Sequence, residues 1–213
     1  MKLVKGSVEG YKSYGVPYLM IKQEEASDRL AVMLPGAGYT NQAPLFHYAT
    51  DIYLQKGYDV LNVNYRYNDE FYDDFSMEEL SEAIRFDVAK VIGQVLAESS
   101  YKDFCLIGKS LGTIALASEL QRPLFRKAAA IWLTPLIKRP DVFDAMQTLP
   151  NRALGFIGDE DRVYDAERWN EINKNPQMTM RLMPGTEHSL EIPGKTLASI
   201  DIMKDIMAEI EKF

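Results

Sequence analysis

Short, continuously apolar segments recur along the chain, and segments with helical spacing separate most of them. Runs such as residues 30–34 and 104–107 are typical of strands that are covered on both faces. The segment after Ser76 instead repeats its apolar residues at helical spacing, and Ser76 with Glu79 matches a capping box at its start. This alternation limits the fold more than any single residue does, because it predicts a mostly parallel sheet with helices on both faces.

The same patterns assign the individual elements. We predict strands over residues 17–22, 30–34, 59–65, 104–107, 128–133, 153–157 and 178–183. Helices are predicted over 45–56, from Ser76 onward, over 111–121 and 197–213, and between each pair of the last three strands. The first strands are expected to form an antiparallel edge. No repeat, low-complexity tract or linker interrupts the pattern, so residues 1–213 are predicted to form a single α/β domain.

Composition and charge exclude several function classes. A net charge of -7 argues against a nucleic-acid partner, which requires a basic patch. The longest apolar run near the centre, residues 128–133, is too short to cross a bilayer, and the first residues do not resemble a signal peptide. A single cysteine, Cys105, cannot form an internal disulfide and lies in a predicted buried strand, where core packing is expected of it. We therefore expect a cytoplasmic protein.

Gly108, Ser110 and Gly112 form a G-x-S-x-G pattern between a predicted strand and a helix of small residues. Glycines two residues on either side of the serine remove the Cβ atoms that would clash in a sharp strand-to-helix turn. We predict that Ser110 is a nucleophile; the alternative is a surface turn with an idle serine. Lys109 is expected to be solvated, although it could hold a carboxylate.

The chain has two histidines, His47 and His188. His188 follows the strand predicted over 178–183, so its loop leaves the sheet at the carboxyl ends of the strands, where open α/β sheets hold their sites. His47 falls within a predicted early helix, where a histidine is more often a structural or surface residue. We predict that His188 is the base for Ser110.

Three carboxylates, Asp159, Glu160 and Asp161, follow the strand predicted over 153–157. The acid that supports a histidine must clear the end of the strand and turn back under the imidazole, and this favours Asp161. Asp159 is the second candidate and Glu160 the third; Asp159 could instead accept hydrogen bonds from amides of its own loop.

Leu34-Pro35-Gly36-Ala37-Gly38 follows the first long apolar run. Its glycines let the backbone turn its amides towards a ligand. We predict that the amides of Ala37 and Leu111 form an oxyanion hole; without Ser110, a plain glycine turn would be the better interpretation.

These residues together resemble the α/β-hydrolase superfamily over nearly the whole chain. The nucleophile, the acid and the histidine follow one another in the order that this family uses. The matching segments are Pro35-Gly36, where the family often has His-Gly, Tyr65-Arg66 after the next strand, the turn at Ser110, Gly158 followed by Asp161, and His188. The resemblance implies that Asp161 is the acid, although the segment after it is one residue tighter than the frequent D-x-x-V. The short chain is similar to dienelactone-hydrolase-like and short carboxylesterase-like members.

Two segments bear on the substrate. The family often inserts a lid before the acid, but residues 134–152 have room only for one short helix around 142–146, which implies an open pocket without a large cap. Residues 64–75 are rich in aromatic and acidic side chains. They could be a solvated or packing loop, a wall of the pocket or, without any spaced ligand pattern, a cation site.

We therefore expect a serine hydrolase that cleaves an ester or thioester of a small molecule through an acyl-enzyme at Ser110, with no cofactor and no metal. The same residues could serve an acyltransferase or a peptidase. From a different class, the chain could be a non-catalytic binding or scaffold protein that kept the fold. The sequence does not determine the acyl length or the oligomeric state.

Overall fold

A computed structural model describes residues 1–97 and 99–213, and over these residues eight strands form one sheet. The strands are β1 (Lys2–Glu9), β2 (Gly15–Lys22), β3 (Arg29–Leu34), β4 (Asp59–Val63), β5 (Asp103–Lys109), β6 (Ala129–Leu133), β7 (Ala153–Gly158) and β8 (Met178–Met183). The α-helices are α1 (Pro44–Gln55), α2 (Met77–Ala97), α3 (Gly112–Leu120), α4 (Pro140–Thr148), α5 (Ala166–Ile172) and α6 (Thr196–Lys212).

The strand order is β1-β2-β4-β3-β5-β6-β7-β8. All neighbours from β4 to β8 are parallel, whereas β2 pairs antiparallel with both β1 and β4. The sheet therefore has two edges, β1 and β8. This topology confirms the predicted mostly parallel sheet, and it brings the loops that follow the parallel strands to one edge of the sheet.

Helices cover both faces of the sheet, which explains why the central strands are continuously apolar. Along β3, Ala31 and Met33 pack in a cluster with residues of α1 and α6. Leu30, Val32 and Leu34 point to the other face, where α2, α3, α4 and α5 contribute to a second cluster. Each side chain of such a strand is buried whichever way it points.

The expected arrangement of the first strands is partly wrong. The antiparallel edge is formed by β1 and β2, and β1 has no counterpart among the predicted strands. Most of its residues are exposed, and lysines at Lys2 and Lys5 interrupt the apolar pattern, so its sequence lacks a burial signal. The polar turn between β2 and β3 does not make them neighbours, because β4 lies between them.

Several other boundaries agree closely with the prediction. Helix α2 begins directly after Ser76, whose hydroxyl accepts a hydrogen bond from the amide of Glu79 at 3.2 Å. Between β6 and β7 the chain forms α4, which confirms the single short helix predicted there. Within residues 1–97 and 99–213, every helix is too short or too polar to cross a bilayer.

Asp87 on α2 is a fully buried carboxylate that joins three parts of the fold. Its Oδ1 accepts a hydrogen bond from the amide of Tyr11 at 2.6 Å, and its Oδ2 accepts one from the hydroxyl of Tyr67 at 2.6 Å. Burial raises the pKa of Asp87, and the two hydrogen bonds oppose this shift. The carboxylate therefore connects α2 to the β1–β2 connection and to the segment after β4.

We expect Asp87→Ala to lower the free energy of unfolding by about 2–4 kcal/mol, because it leaves a half-buried amide and a buried hydroxyl without an acceptor. Urea denaturation measures this loss. The matched control is Glu82→Ala on the same helix, since over the described residues the exposed Glu82 carboxylate accepts only from the Tyr11 hydroxyl, at 3.3 Å. Equal losses in the two variants would contradict the role assigned to Asp87.

Candidate active site

Ser110 lies in the turn between β5 and α3 with a positive φ of 51°, which a residue other than glycine rarely adopts. Its amide donates to the Leu133 carbonyl at 3.0 Å, which holds the turn against β6. Gly112 makes the turn possible, because an added Cβ there would lie 2.0 Å from the Leu34 carbonyl oxygen. At Gly108 a Cβ would lie 3.0 Å from the Gly112 carbonyl oxygen. Both glycines of the pattern thus sit where backbones approach closely.

His188 lies in the β8–α6 loop, residues 184–195, and its ring reaches Ser110. The distance from its Nε2 to Ser110 Oγ is 2.7 Å. The His188 side chain is 25 % exposed, so the imidazole is accessible from one side. Within the loop, the amide of Leu190 donates to the Glu187 carbonyl at 2.9 Å, and Leu190 has a positive φ of 64°. The loop is therefore a compact turn that presents the ring.

Asp161 lies in the β7–α5 loop, residues 159–165, and contacts the other ring nitrogen of His188. Its Oδ2 and Oδ1 lie 2.8 Å and 3.0 Å from His188 Nδ1. The Asp161 side chain is fully buried, and the Val163 amide donates to its Oδ1 at 2.9 Å. Because a carboxylate can only accept, Nδ1 carries the ring proton and Nε2 is free to accept from Ser110.

The other two carboxylates of the β7–α5 loop lie elsewhere. Asp159 Oδ1 accepts a hydrogen bond from the Gly185 amide at 2.6 Å, so it ties its loop to the β8–α6 loop, and Glu160 is exposed. Gly158 brings the two loops into contact, since an added Cβ there would lie 1.9 Å from the Thr186 carbonyl oxygen. Of the three sequence candidates, only Asp161 contacts the imidazole within the described residues.

The β3–α1 loop, residues 35–43, lies beside Ser110. An added Cβ at Gly36 would lie 3.3 Å from Ser110 Cβ, which places the following residue, Ala37, next to the serine. Over the described chain, the amides of Ala37 and Leu111 make no hydrogen bond to a protein acceptor. Both predicted donors are therefore free to bind a ligand oxygen.

Tyr65 supports the β3–α1 loop through a hydrogen bond to its first residue, Pro35, a contact that the sequence does not indicate. Its hydroxyl is fully buried and donates to the Pro35 carbonyl at 2.5 Å. Burial raises the pKa of this phenol well above its ordinary value, which keeps it a donor. Pro35 has no amide hydrogen to fix the turn, so the hydrogen bond to its carbonyl is a direct support for the loop.

The expectation that Lys109 is solvated is wrong. The side chain is only 1 % exposed, and its Nζ donates to Thr134 Oγ1 at 2.9 Å and to the His188 carbonyl at 2.8 Å. A lysine between a glycine and a serine gives no sign of this burial, because the groups that cover it come from distant parts of the chain.

The aromatic and acidic segment, residues 64–75, is mainly a packing element. Tyr65, Tyr67 and Tyr72 are buried, and their rings contact one another at centroid distances of 4.6–4.8 Å. Asp73 and Asp74 are exposed. Within the part of the chain that the structure describes, no group of three metal-ligating side chains occurs here or elsewhere.

The two remaining candidate residues lie apart from this cluster. His47 is exposed on α1, where its ring contacts Tyr48 at a centroid distance of 5.1 Å. Cys105 is buried in β5, and its thiol donates to the Tyr53 hydroxyl at 2.9 Å. Burial raises the pKa of the Cys105 thiol to about 12, which suppresses its reactivity.

No protein-family model and no curated protein sequence matches the chain. Solved structures do match it over nearly its whole length. A protein of unknown function from Agrobacterium tumefaciens, described as a candidate α/β hydrolase, is 20 % identical with a TM-score of 0.72; the match covers 98 % of this chain and 94 % of that one. A serine hydrolase without a lid from Xanthomonas campestris is 17 % identical with a TM-score of 0.70, covering 99 % and 93 %.

An esterase from Pyrococcus furiosus is 12 % identical with a TM-score of 0.73, and the match covers 100 % of this chain and 93 % of that one. At these identities the likeness concerns the fold. The chain has the α/β-hydrolase fold without a lid, as the sequence predicts.

We expect Gly158→Ala to lower the free energy of unfolding by about 1–3 kcal/mol, because the new methyl group forces the Thr186 backbone, and the loop that carries His188, away from β7. Thermal denaturation measures the loss. Gly93→Ala is the matched control: Gly93 has open space around it on α2, so alanine there is expected to be neutral or stabilising. A stable Gly158→Ala protein would contradict the tight contact.

Proposed function

We propose that the protein is a serine hydrolase that cleaves carboxylic esters or thioesters of small molecules through an acyl-enzyme at Ser110. The observation that carries this proposal is the chain of hydrogen bonds from Ser110 Oγ through the His188 imidazole to Asp161, with contacts of 2.7 Å and 2.8 Å. A serine in a surface turn without a function would not require a left-handed backbone, an aligned histidine and a buried carboxylate behind it.

In the first step, Ser110 Oγ attacks the acyl carbonyl carbon while its proton passes to His188 Nε2. Asp161 keeps the proton on Nδ1 and stabilises the imidazolium that forms. The buried position of the carboxylate strengthens this interaction, because little water screens it.

The negative charge that develops on the acyl oxygen needs donors that are already in place. The amides of Ala37 and Leu111 are proposed to supply them, since they flank Ser110 and donate to no acceptor among the described residues. A single donor of this kind is worth about 2.7–4 kcal/mol of barrier in other acyl-transfer enzymes. The hydrogen bond from Tyr65 to the β3–α1 loop would keep the Ala37 amide directed towards the acyl oxygen.

The imidazolium of His188 then gives its proton to the departing alkoxide or thiolate. In the second half of the reaction, His188 takes a proton from water while the water oxygen attacks the acyl carbon. The imidazolium then returns that proton to Ser110 Oγ as the ester bond breaks, which releases the carboxylic acid and regenerates the free serine and neutral histidine. These steps use only groups of this chain and water.

The form of the molecule supports a small substrate. Between β6 and β7 the chain forms only α4, and the His188 ring stays partly exposed, so over the described residues no cap encloses the site. The similar folds of a lidless serine hydrolase and of an esterase support the same class of reaction.

We expect the protein to react with a fluorophosphonate probe and to hydrolyse p-nitrophenyl esters, with turnover decreasing as the acyl chain lengthens. Ser110→Ala is expected to abolish labelling, and Ser110→Ala and His188→Ala each to lower kcat by at least about 10³-fold. His47→Ala is the matched control and should behave like the parent. A folded parent that neither reacts nor hydrolyses any ester would instead favour a non-catalytic binding protein.

The assignment of the acid has its own test. Asp161→Asn is expected to lower kcat by roughly 10⁴-fold, because an amide favours the wrong tautomer of His188. Asp159→Asn keeps an oxygen that can accept from the Gly185 amide, so its kcat is expected to stay within about threefold of the parent. Ester hydrolysis measures both, and the reverse ranking would transfer the role to Asp159.

A further inference from the structure

Lys109 is a deeply buried charged group beside the site, and the proposed mechanism does not use it. The side chain is 1 % exposed, and over the described residues no carboxylate lies within 4 Å of its Nζ. Burial of an ammonium group removes its hydration and is therefore unfavourable, whereas an aliphatic side chain of equal length would fill the same volume without that cost. Its hydrogen bonds therefore need a reason other than stability.

The partners of the ammonium group come from three different loops. Thr134 Oγ1 at the end of β6 and the His188 carbonyl in the β8–α6 loop accept its hydrogen bonds at 2.9 Å and 2.8 Å. The third partner is the ring of Tyr39 in the β3–α1 loop, whose centroid lies 4.8 Å from Nζ. The backbone of Lys109 itself leads directly into Ser110. One cation thus connects the nucleophile, the histidine and the loop of the oxyanion donors.

Two of these partners are themselves held by the backbone. Thr134 is fully buried with a positive φ of 43°, and its amide donates to the Phe156 carbonyl at 2.8 Å. The Tyr39 hydroxyl accepts from the Leu45 amide at 3.0 Å. These two anchors hold the ammonium group in place, and its remaining contact is the His188 carbonyl in the β8–α6 loop.

We propose that Lys109 is a positioning residue whose ammonium group holds the His188 backbone so that the imidazole stays in line with Ser110. This inference rests on the proposed function, because it concerns the alignment of the same two side chains. The charge contributes as well as the hydrogen atoms: charge-assisted hydrogen bonds are about twice as strong as neutral ones, and the attraction to the Tyr39 ring exists only for the cation.

The protonation of Lys109 gives the proposal a pH signature. Burial lowers the pKa of Lys109 to about 8, while the carboxylates of Asp161 and Glu191 oppose the shift. The phenol of Tyr39, with a pKa raised to about 12 by burial, stays neutral over the same range. Above pH 8 the ammonium loses its charge, so the hold on His188 weakens at mildly alkaline pH.

The central variant is Lys109→Met, which keeps the apolar stem and removes the charge and the donors. We expect kcat for an ester to fall by more than about fivefold with KM changed less than twofold, because the alignment of the base is lost and the acyl site is not. In the parent, the rate of Ser110 phosphonylation should step down with a midpoint near pH 8, and this step should be absent from Lys109→Met.

Stability should move in the opposite direction to activity. The pKa of Lys109 falls from 10.5 to about 8 on folding, so the unfolded chain binds the proton more tightly, and the folded parent carries the cost of the buried charge below pH 8. Lys109→Met is therefore expected to melt at the same or a higher Tm than the parent at pH 7. Its advantage should shrink as the pH rises towards 10.5.

The matched control is Lys56→Met at the end of α1. Lys56 Nζ also donates to a backbone carbonyl, that of Ile210 at 3.1 Å, and stands over an aromatic ring, that of Tyr53 at 5.3 Å. Its contacts lie on α6 and α1 instead of the loops around Ser110. The substitution is expected to leave kcat and the step near pH 8 unchanged.

Nuclear magnetic resonance keeps this test separate from that of the proposed function. The chain has two histidines, so the far-downfield proton that His188 Nδ1 donates to Asp161 can be assigned in ¹⁵N-histidine protein that turns over nothing. We expect a sharp resonance in the parent and in Lys56→Met, and a broadened or missing one in Lys109→Met. An inert parent with this pattern would refute the hydrolase and keep the positioning role.

A fall in kcat of about fivefold or less, or an unchanged His188 resonance in Lys109→Met, would overturn the proposal. An equal fall in Lys56→Met would do so as well. If Lys109→Met fails to fold, the parent and Lys56→Met provide the test. A decrease in the rate of Ser110 phosphonylation near pH 8, together with broadening of the His188 resonance at the same pH, supports the positioning role. The absence of either change refutes it.

Discussion

Close approach of backbones at the carboxyl edge of the sheet is the constraint on which the site depends. Gly112 lets the start of α3 pack against the end of β3, since an added Cβ there would lie 2.0 Å from the Leu34 carbonyl oxygen. Gly158 lets β7 pack against the β8–α6 loop, since an added Cβ there would lie 1.9 Å from the Thr186 carbonyl oxygen. Gly36 allows the β3–α1 loop to lie against Ser110. The loops that follow β3, β5, β7 and β8 can lie this close together only because the residues at these three contacts are glycines without a side chain. The hydrogen bonds around His188 then form between parts whose separation is already set.

The parts of the fold that sequence predicts are those whose burial is complete. The central strands are covered on both faces, so their residues read as uninterrupted apolar runs, and the Ser76 cap marks the start of α2. The sequence does not indicate strand β1, because this edge strand is mostly exposed and its pattern resembles that of a loop. The neighbours of β2 could not be read either, since strand order depends on contacts between distant segments and leaves no local pattern.

The residues of the site likewise differ in how far the sequence predicts their positions. Spacing and position single out Ser110 and His188, because a glycine-flanked serine after a strand and a histidine after the last strand are local features. The choice between Asp159 and Asp161 depends on how a short loop turns, and here both carboxylates are engaged, one with an amide and one with the imidazole. The burial of Lys109 leaves no local pattern: a lysine is normally solvated, and the groups that cover this one come from three loops that are far apart in sequence.

The strand that leads to the histidine loop is also an edge of the sheet. β8 pairs with β7 alone, and Arg181 on it reaches the Glu209 carboxylate of α6 at 2.9 Å through an exposed ion pair. Edge elements with few buried contacts open at a lower free energy than the interior of the same molecule. Warming should therefore uncouple the imidazole from the serine in a reversible local event, visible as early amide hydrogen exchange in β8, while β3, β5 and β6 remain folded. Loss of the imidazole–serine contact and unfolding of the whole domain would then occur at two different temperatures.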